Sequence, residues 1–157
     1  MHYKRLVTVT LGLLFALTLT SQSAVSPEKA DVVAAVNQFF ENLSDKTIDK
    51  AAAVCDSPVA ILDEFPPHIW YGPTACGDWW RALKEYDRQS GIVSEGATLG
   101  NPWSVDVTGD RAYFVAPSGY RYKQNGKTIK EAHSVFTVAL RKTEAGWRIT
   151  SWTWSKH

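Results

Sequence analysis

Apolar residues recur along this chain in two rhythms, a helical one first and an alternating one later. Ser26-Pro27 is a helix start, with a Ser cap and then Pro at the first helical position, where no N–H is needed. Val32, Val33, Val36, Phe39, Phe40 and Leu43 follow at three- and four-residue steps, which predicts an amphipathic helix. Ser44-Asp45-Lys46-Thr47 breaks it, and Ile48, Ala51, Ala52, Val54 and Cys55 predict a second, short helix ending before Ser57-Pro58. A short strand, Val59 to Leu62, then runs into the adjacent acids Asp63 and Glu64. Pro66-Pro67 reverses the chain, and His68, Trp70 and Tyr71 form an aromatic return strand to Gly72. Pro73 opens a third helix, with Trp79, Trp80, Leu83 and Tyr86 on one side and Gly91 as its stop.

From Ser94 onward the pattern is that of strands. Ser94 to Val107 reads as one long, irregular strand, interrupted by Gly100-Asn101-Pro102. Thr108-Gly109-Asp110 turns into Arg111–Lys123, where Pro117 and Gly119 predict a bulge or an edge position. Asn125-Gly126 is a hairpin signal. Thr128–Lys142 has two faces: Phe136, Val138 and Leu140 on one, His133, Val135, Thr137 and Ala139 on the other. Glu144-Ala145-Gly146 turns into a last strand, on which Trp152 and Trp154 alternate onto the face opposite Trp147 and Ile149. Helices early and strands late predict one α+β domain, with three N-terminal helices packed on one face of an antiparallel sheet.

Composition adds a compartment. Lys4 and Arg5 precede the apolar run Leu6–Leu19, and Ser21-Gln22-Ser23-Ala24 offers small residues for cleavage, so residues 1–24 read as a secretory signal and 25–157 as the domain. The alternative, a membrane anchor, fits less well, because the run is shorter than the ~20 apolar residues that span a bilayer. Removal of the signal takes Lys4 and Arg5 from 17 basic residues against 16 acidic, leaving a net charge near −1. That balance gives no basic face for nucleic acid and no attraction to an anionic membrane. The expected location is secreted or periplasmic. There, Cys55 and Cys76 are either a disulfide or two buried thiols.

Candidate chemistry centres on Asp63. An acid at the end of a buried strand, with a His and aromatics folded back beside it, suits the wall of a small-molecule pocket. Asp63 is the candidate general base, with His133 or His68 as its partner. Each has a plainer reading: Asp63 as a turn cap or ion-pair member, His68 as a surface turn residue, His133 as a half-buried strand residue. No metal-ligand spacing and no cofactor motif stands out.

The element order and the closing G-W-R-I-T-S-W-T-W-S resemble the nuclear transport factor 2-like superfamily, also called SnoaL-like. D-E-F-P-P-H-I-W-Y-G-P, V-D-V-T-G-D-R-A-Y and A-G-W-R-I look like a secreted subgroup of it. The resemblance implies a cystatin-like cone, a strongly curved sheet wrapped over helices around a pocket. Phe39, Trp70, Tyr71, Trp80, Tyr113 and Phe136 are the residues expected to line it. Among the ketosteroid isomerases the general base falls on Asp63, nine positions before Gly72. Their helical Tyr donor falls on Phe39, and their second donor near Phe136 to Val138, where no acid stands. Superfamily members commonly dimerise through the sheet, so a homodimer is implied. An outward strip of Trp152 and Trp154 would serve it, unless a β-bulge turns one Trp inward. Three functions follow as expectations: a cone that binds a small, largely apolar molecule; a lyase or isomerase with Asp63 as base; or an interaction module using the Trp-bearing sheet.

Overall fold

A computed structural model of the chain describes residues 26–44 and 48–156. The segment read as an export signal lies outside the described residues, as do Asp45, Lys46 and Thr47. The first helix, α1 (Pro27–Ser44), buries Val32, Val36, Phe39 and Phe40 along one stripe, and the Ser26 carbonyl accepts the Ala30 N–H at 3.1 Å. A short α2 (Ile48–Ala52) follows, then β1 (Cys55–Leu62), β2 (Ile69–Gly72) and α3 (Ala75–Gln89). Five strands complete the fold: β3 (Ile92–Leu99), β4 (Ser104–Thr108), β5 (Arg111–Gln124), β6 (Lys127–Thr143) and β7 (Gly146–Ser155).

The seven strands form one sheet in the order β2-β1-β7-β6-β5-β3, with β4 also on β5. The fold is α+β: a curved, unclosed sheet with its inner face against the helices. The core lies between them, where Phe39, Phe114, Phe136, Ile61, Leu140 and Ile149 are almost wholly removed from water.

Four local expectations need correction. Cys55 does not close the second helix; it opens β1, where it pairs with Ile149 and the Ile149 N–H donates to the Val54 carbonyl at 2.9 Å. That partner is a distant strand, so local periodicity carries no sign of it. The pairing of β1 with β7 is parallel, in a sheet expected to be antiparallel throughout. The stretch from Ser94 is two strands laid end to end on β5, because Gly100-Asn101-Pro102 interrupts the pairing in the middle of β5, between Leu99 opposite Ser118 and Ser104 opposite Val115. The fourth correction concerns the last strand. Leu140 faces Ile149 but Ala139 faces Ser151, so Thr150 is an extra residue in β7, and its hydroxyl donates to the Ala139 carbonyl at 3.1 Å. The bulge reverses the alternation. Trp152 and Trp154 therefore join Trp147 and Ile149 on the inner face, and Trp152 is only 3% exposed. The outward Trp strip does not exist.

A second irregularity bends β5 and β6. Ser118 pairs with Ser134 and Tyr120 with Glu131, so Gly119 stands against Ala132 and His133. A Cβ on Gly119 would sit 2.8 Å from the Glu131 carbonyl oxygen, which leaves glycine as the residue that fits. Past this bulge Glu131, an odd-numbered residue, lies on the same side as Ser134 and Phe136. Cys55 and Cys76 are bonded, tying the start of β1 to the first turn of α3 across 21 positions. A closed loop of that size contributes about 3 kcal/mol by the chain-entropy model.

Candidate functional site

The loop between β1 and β2 positions Asp63. Its backbone N–H donates to the His68 carbonyl at 3.0 Å, and the His68 N–H donates to the Phe65 carbonyl at 2.9 Å. Phe65 is buried against Trp70 and Tyr86, with ring centroids 5.0 and 5.3 Å away, and anchors the loop to α3. The carboxylate is then held on both oxygens. Trp79 Nε1 donates to Oδ2 at 2.8 Å, and the Glu64 N–H donates to Oδ1 at 2.7 Å.

Asp63 forms part of the wall of a cavity of about 400 Å³. Phe39, Phe40 and Leu43 of α1, the Trp79–Asp87 stretch of α3, and inner-face residues of β3, β5, β6 and β7 complete the wall. Its floor is a cluster of rings: Trp152 meets Trp79 edge-on at 4.7 Å, with Phe136 at 5.4 Å and Phe39 at 6.0 Å. Phe39, at the helical donor position of the isomerase resemblance, and Phe136, in the stretch where its second donor falls, stack at 6.2 Å and present no hydrogen-bond donor.

The wall also carries charge. Lys156 bridges Glu64 at 2.8 Å and Glu131 at 3.1 Å, and Glu131 accepts the Tyr122 hydroxyl at 2.9 Å. Asp87, on α3, is 6% exposed; Lys84 lies 3.6 Å from its Oδ2, and Oδ1 has no hydrogen-bond partner. The Tyr120 hydroxyl lies beside the Ser94 side chain but makes no well-formed hydrogen bond.

Burial governs the protonation of these groups. It pushes Asp63 up to about 6; the Trp79 and Glu64 N–H groups and the Lys156 charge pull the other way, while the Glu64 charge adds to the rise. Burial likewise raises Asp87, against the pull of Lys84. Tyr120 is pushed up to about 12, by burial first and then by the charges of Asp87 and Glu131, against the Ser94 side chain.

The structure separates the other candidates from Asp63. His68 is exposed, and its Nδ1 lies 3.3 Å from the Asp63 main-chain oxygen, away from the carboxylate. His133 is exposed on the outer side of β6, at the bulge, with φ of 77°. Neither lines the cavity, because each sits where the backbone departs from strand geometry. Among the expected lining residues, Phe39, Trp80 and Phe136 are in the wall. Trp70 is buried against Phe65, while Tyr71 and Tyr113 point outward, so these three are not. Tyr120, Tyr122, Glu131, Asp87 and Lys156 were not foreseen. Asp87 had a readable signal, since Trp80, Leu83, Lys84 and Asp87 follow helical spacing. Glu131 had none, because the bulge beside it inverts the alternation.

Comparison with known proteins agrees with this architecture. A ketosteroid isomerase-like protein from Erwinia carotovora atroseptica is 15% identical, with a TM-score of 0.67 over 84% of this chain and 98% of that one. An NTF2-like protein with a cystatin-like fold from Novosphingobium aromaticivorans is 15% identical, with a TM-score of 0.66 over 81% of this chain and 80% of that one. A proposed dehydratase of the NTF2-like family from Streptomyces avermitilis is 17% identical, with a TM-score of 0.64 over 83% and 96%. At these identities the likeness shows the fold. None of the curated proteins matches this chain. The SnoaL-like domain family does, over residues 32–156, and the chain belongs to that family.

Proposed function

We propose that this is an exported binding protein whose cone holds a small, largely apolar molecule without converting it. The observation that carries the reading is the cavity itself. It has room for a molecule of two or three rings, its floor is aromatic, and neither His68 nor His133 reaches the Asp63 carboxylate. Aromatic walls supply apolar area and ring-stacking geometry for such a ligand. Export rests on the Lys4-Arg5 start and apolar run of residues 1–24, and the Cys55–Cys76 disulfide suits an oxidising compartment.

One observation favours a second reading, a lyase or isomerase: Asp63 titrates near 6, where a carboxylate is a competent base at neutral pH. Its partner would be a wall tyrosine such as Tyr120 or Tyr122. A single probe separates the two readings. 2-Tetralone is apolar, of suitable size, and has exchangeable hydrogens next to its carbonyl. Binding seen by calorimetry, with no exchange in D₂O beyond that of buffer, is the expected result. Exchange that Asp63→Asn abolishes would move the assignment to the second reading, and failure to bind would count against both.

A further inference from the structure

The ion pairs of the cavity leave one acid over. Lys156 serves Glu64 and Glu131, Arg121 and Lys123 serve Glu95, and Lys84 serves Asp87. Asp63 takes two neutral N–H donors and, among the described residues, forms no ion pair of its own, although the Lys156 charge acts on it from beyond ion-pair distance. It is ionised at neutral pH despite burial, so a negative charge faces a largely aromatic chamber.

Two further observations point the same way. The Asp87 carboxylate is almost fully buried, lines the same cavity, and has one oxygen with no partner. Trp79, which holds Asp63, and Asp87 lie eight residues apart on α3, about 12 Å along its axis, so that wall has a carboxylate without an ion pair at one end and a carboxylate oxygen without a hydrogen-bond partner at the other. The aromatic wall also already accommodates an ammonium group. Lys84 Nζ sits 4.4 Å from the centroid of the Trp80 ring. Ring faces attract cations, most strongly where water is displaced.

We propose that the molecule this cavity takes carries a protonated amine on its apolar body, and that Asp63 anchors the ammonium while the Trp79, Trp152 and Phe39 rings enclose the rest. The inference rests on the binding reading above and narrows its ligand class. A carboxylate ligand would meet repulsion from Asp63 and the other wall acids. A neutral ligand would leave the Asp63 charge without a counter-ion.

The test is calorimetry of the purified protein at a pH of about 7.5, where Asp63 is ionised and an alkylamine is protonated. Three probes share one ring system: 2-naphthylmethylamine, 2-naphthylmethanol and 2-naphthoate. The expected order is amine, alcohol, acid, with the amine favoured over the alcohol by at least about tenfold. Asp63→Asn should abolish that preference and leave the alcohol within about threefold of its native affinity; Asp87→Asn should keep the preference. An alcohol that binds the native protein as tightly as the amine overturns the proposal, whatever the variants do. A preference that survives Asp63→Asn, or is lost only in Asp87→Asn, overturns Asp63 as the anchor. If none of the three binds, the binding reading itself falls and the inference with it.

Discussion

Asp63 is held between opposing forces. Burial among rings favours its neutral form, while the Trp79 indole and the Glu64 N–H favour the ion. Burial wins, and the consequence for stability has a definite sign. A carboxyl raised from its ordinary value of about 3.9 to about 6 binds its proton more tightly in the folded chain. Folding therefore loses free energy as pH rises from about 4 to about 6, by at most about 3 kcal/mol for this group. Comparing urea unfolding of the native chain and Asp63→Asn across that window should show the native protein falling relative to the variant. Parallel curves would mean that Asp63 titrates normally. Asp63 was legible in the sequence because a strand of apolar residues ends on it and a Pro-Pro turn follows. Its neighbours were not. The Trp79 hydrogen bond spans 16 positions, and nothing in the spacing announces it.

At the scale of elements, Thr150 decides which side of the sheet two tryptophans occupy. Period-two alternation from Trp147 puts Trp152 and Trp154 outside; one extra residue puts them in. Deleting Thr150 should therefore expel Trp152 from the core and cost on the order of 3–5 kcal/mol, enough to abolish a cooperative transition in a marginal domain. Thr150→Ala keeps the bulge's length and loses one hydrogen bond, for about 1 kcal/mol. Near-UV circular dichroism and urea midpoints would compare them. Equal stability of the two variants would contradict the account of the bulge. The helices and most strands were readable because their partners are local or their apolar spacing is regular. Pro117 and Gly119 also marked the bulge where β5 meets β6, and Gly100-Asn101-Pro102 the break between β3 and β4. The parallel seat of β1 was not readable, because its partner strand is far away in sequence, and the Thr150 bulge was not, because no Gly or Pro marks it.

For the whole molecule, the inward turn of the tryptophans changes the argument for dimerisation without removing it. Two rows cross the outer face of the sheet in register: Ala60, Ser151, Ala139 and Tyr113, and beside them Leu62, Thr153, Thr137 and Val115. From β1 to β5 neither row contains a charge; the first meets one only at the far edge, Asp106 of β4, and both continue onto the exposed Ile69 and Tyr71 of β2. We propose that a second copy of the chain covers this face. Sedimentation equilibrium should give a dimer for the native protein and a monomer for Thr137→Arg, which places a charge at the centre of the patch. A native monomer at micromolar concentration would set the proposal aside.

The central claim is that the cone takes its ligand inside the cavity, and the indole N–H signals of the seven tryptophans test it most directly. Titrated with 2-tetralone, the indole resonances of Trp79, Trp80, Trp152 and Trp154, all in the cavity wall, should move together and saturate. Those of Trp70, Trp103 and Trp147, which lie elsewhere, should stay in place. Movement confined to the exposed Trp103, or no saturable movement in the four wall residues, would contradict the account.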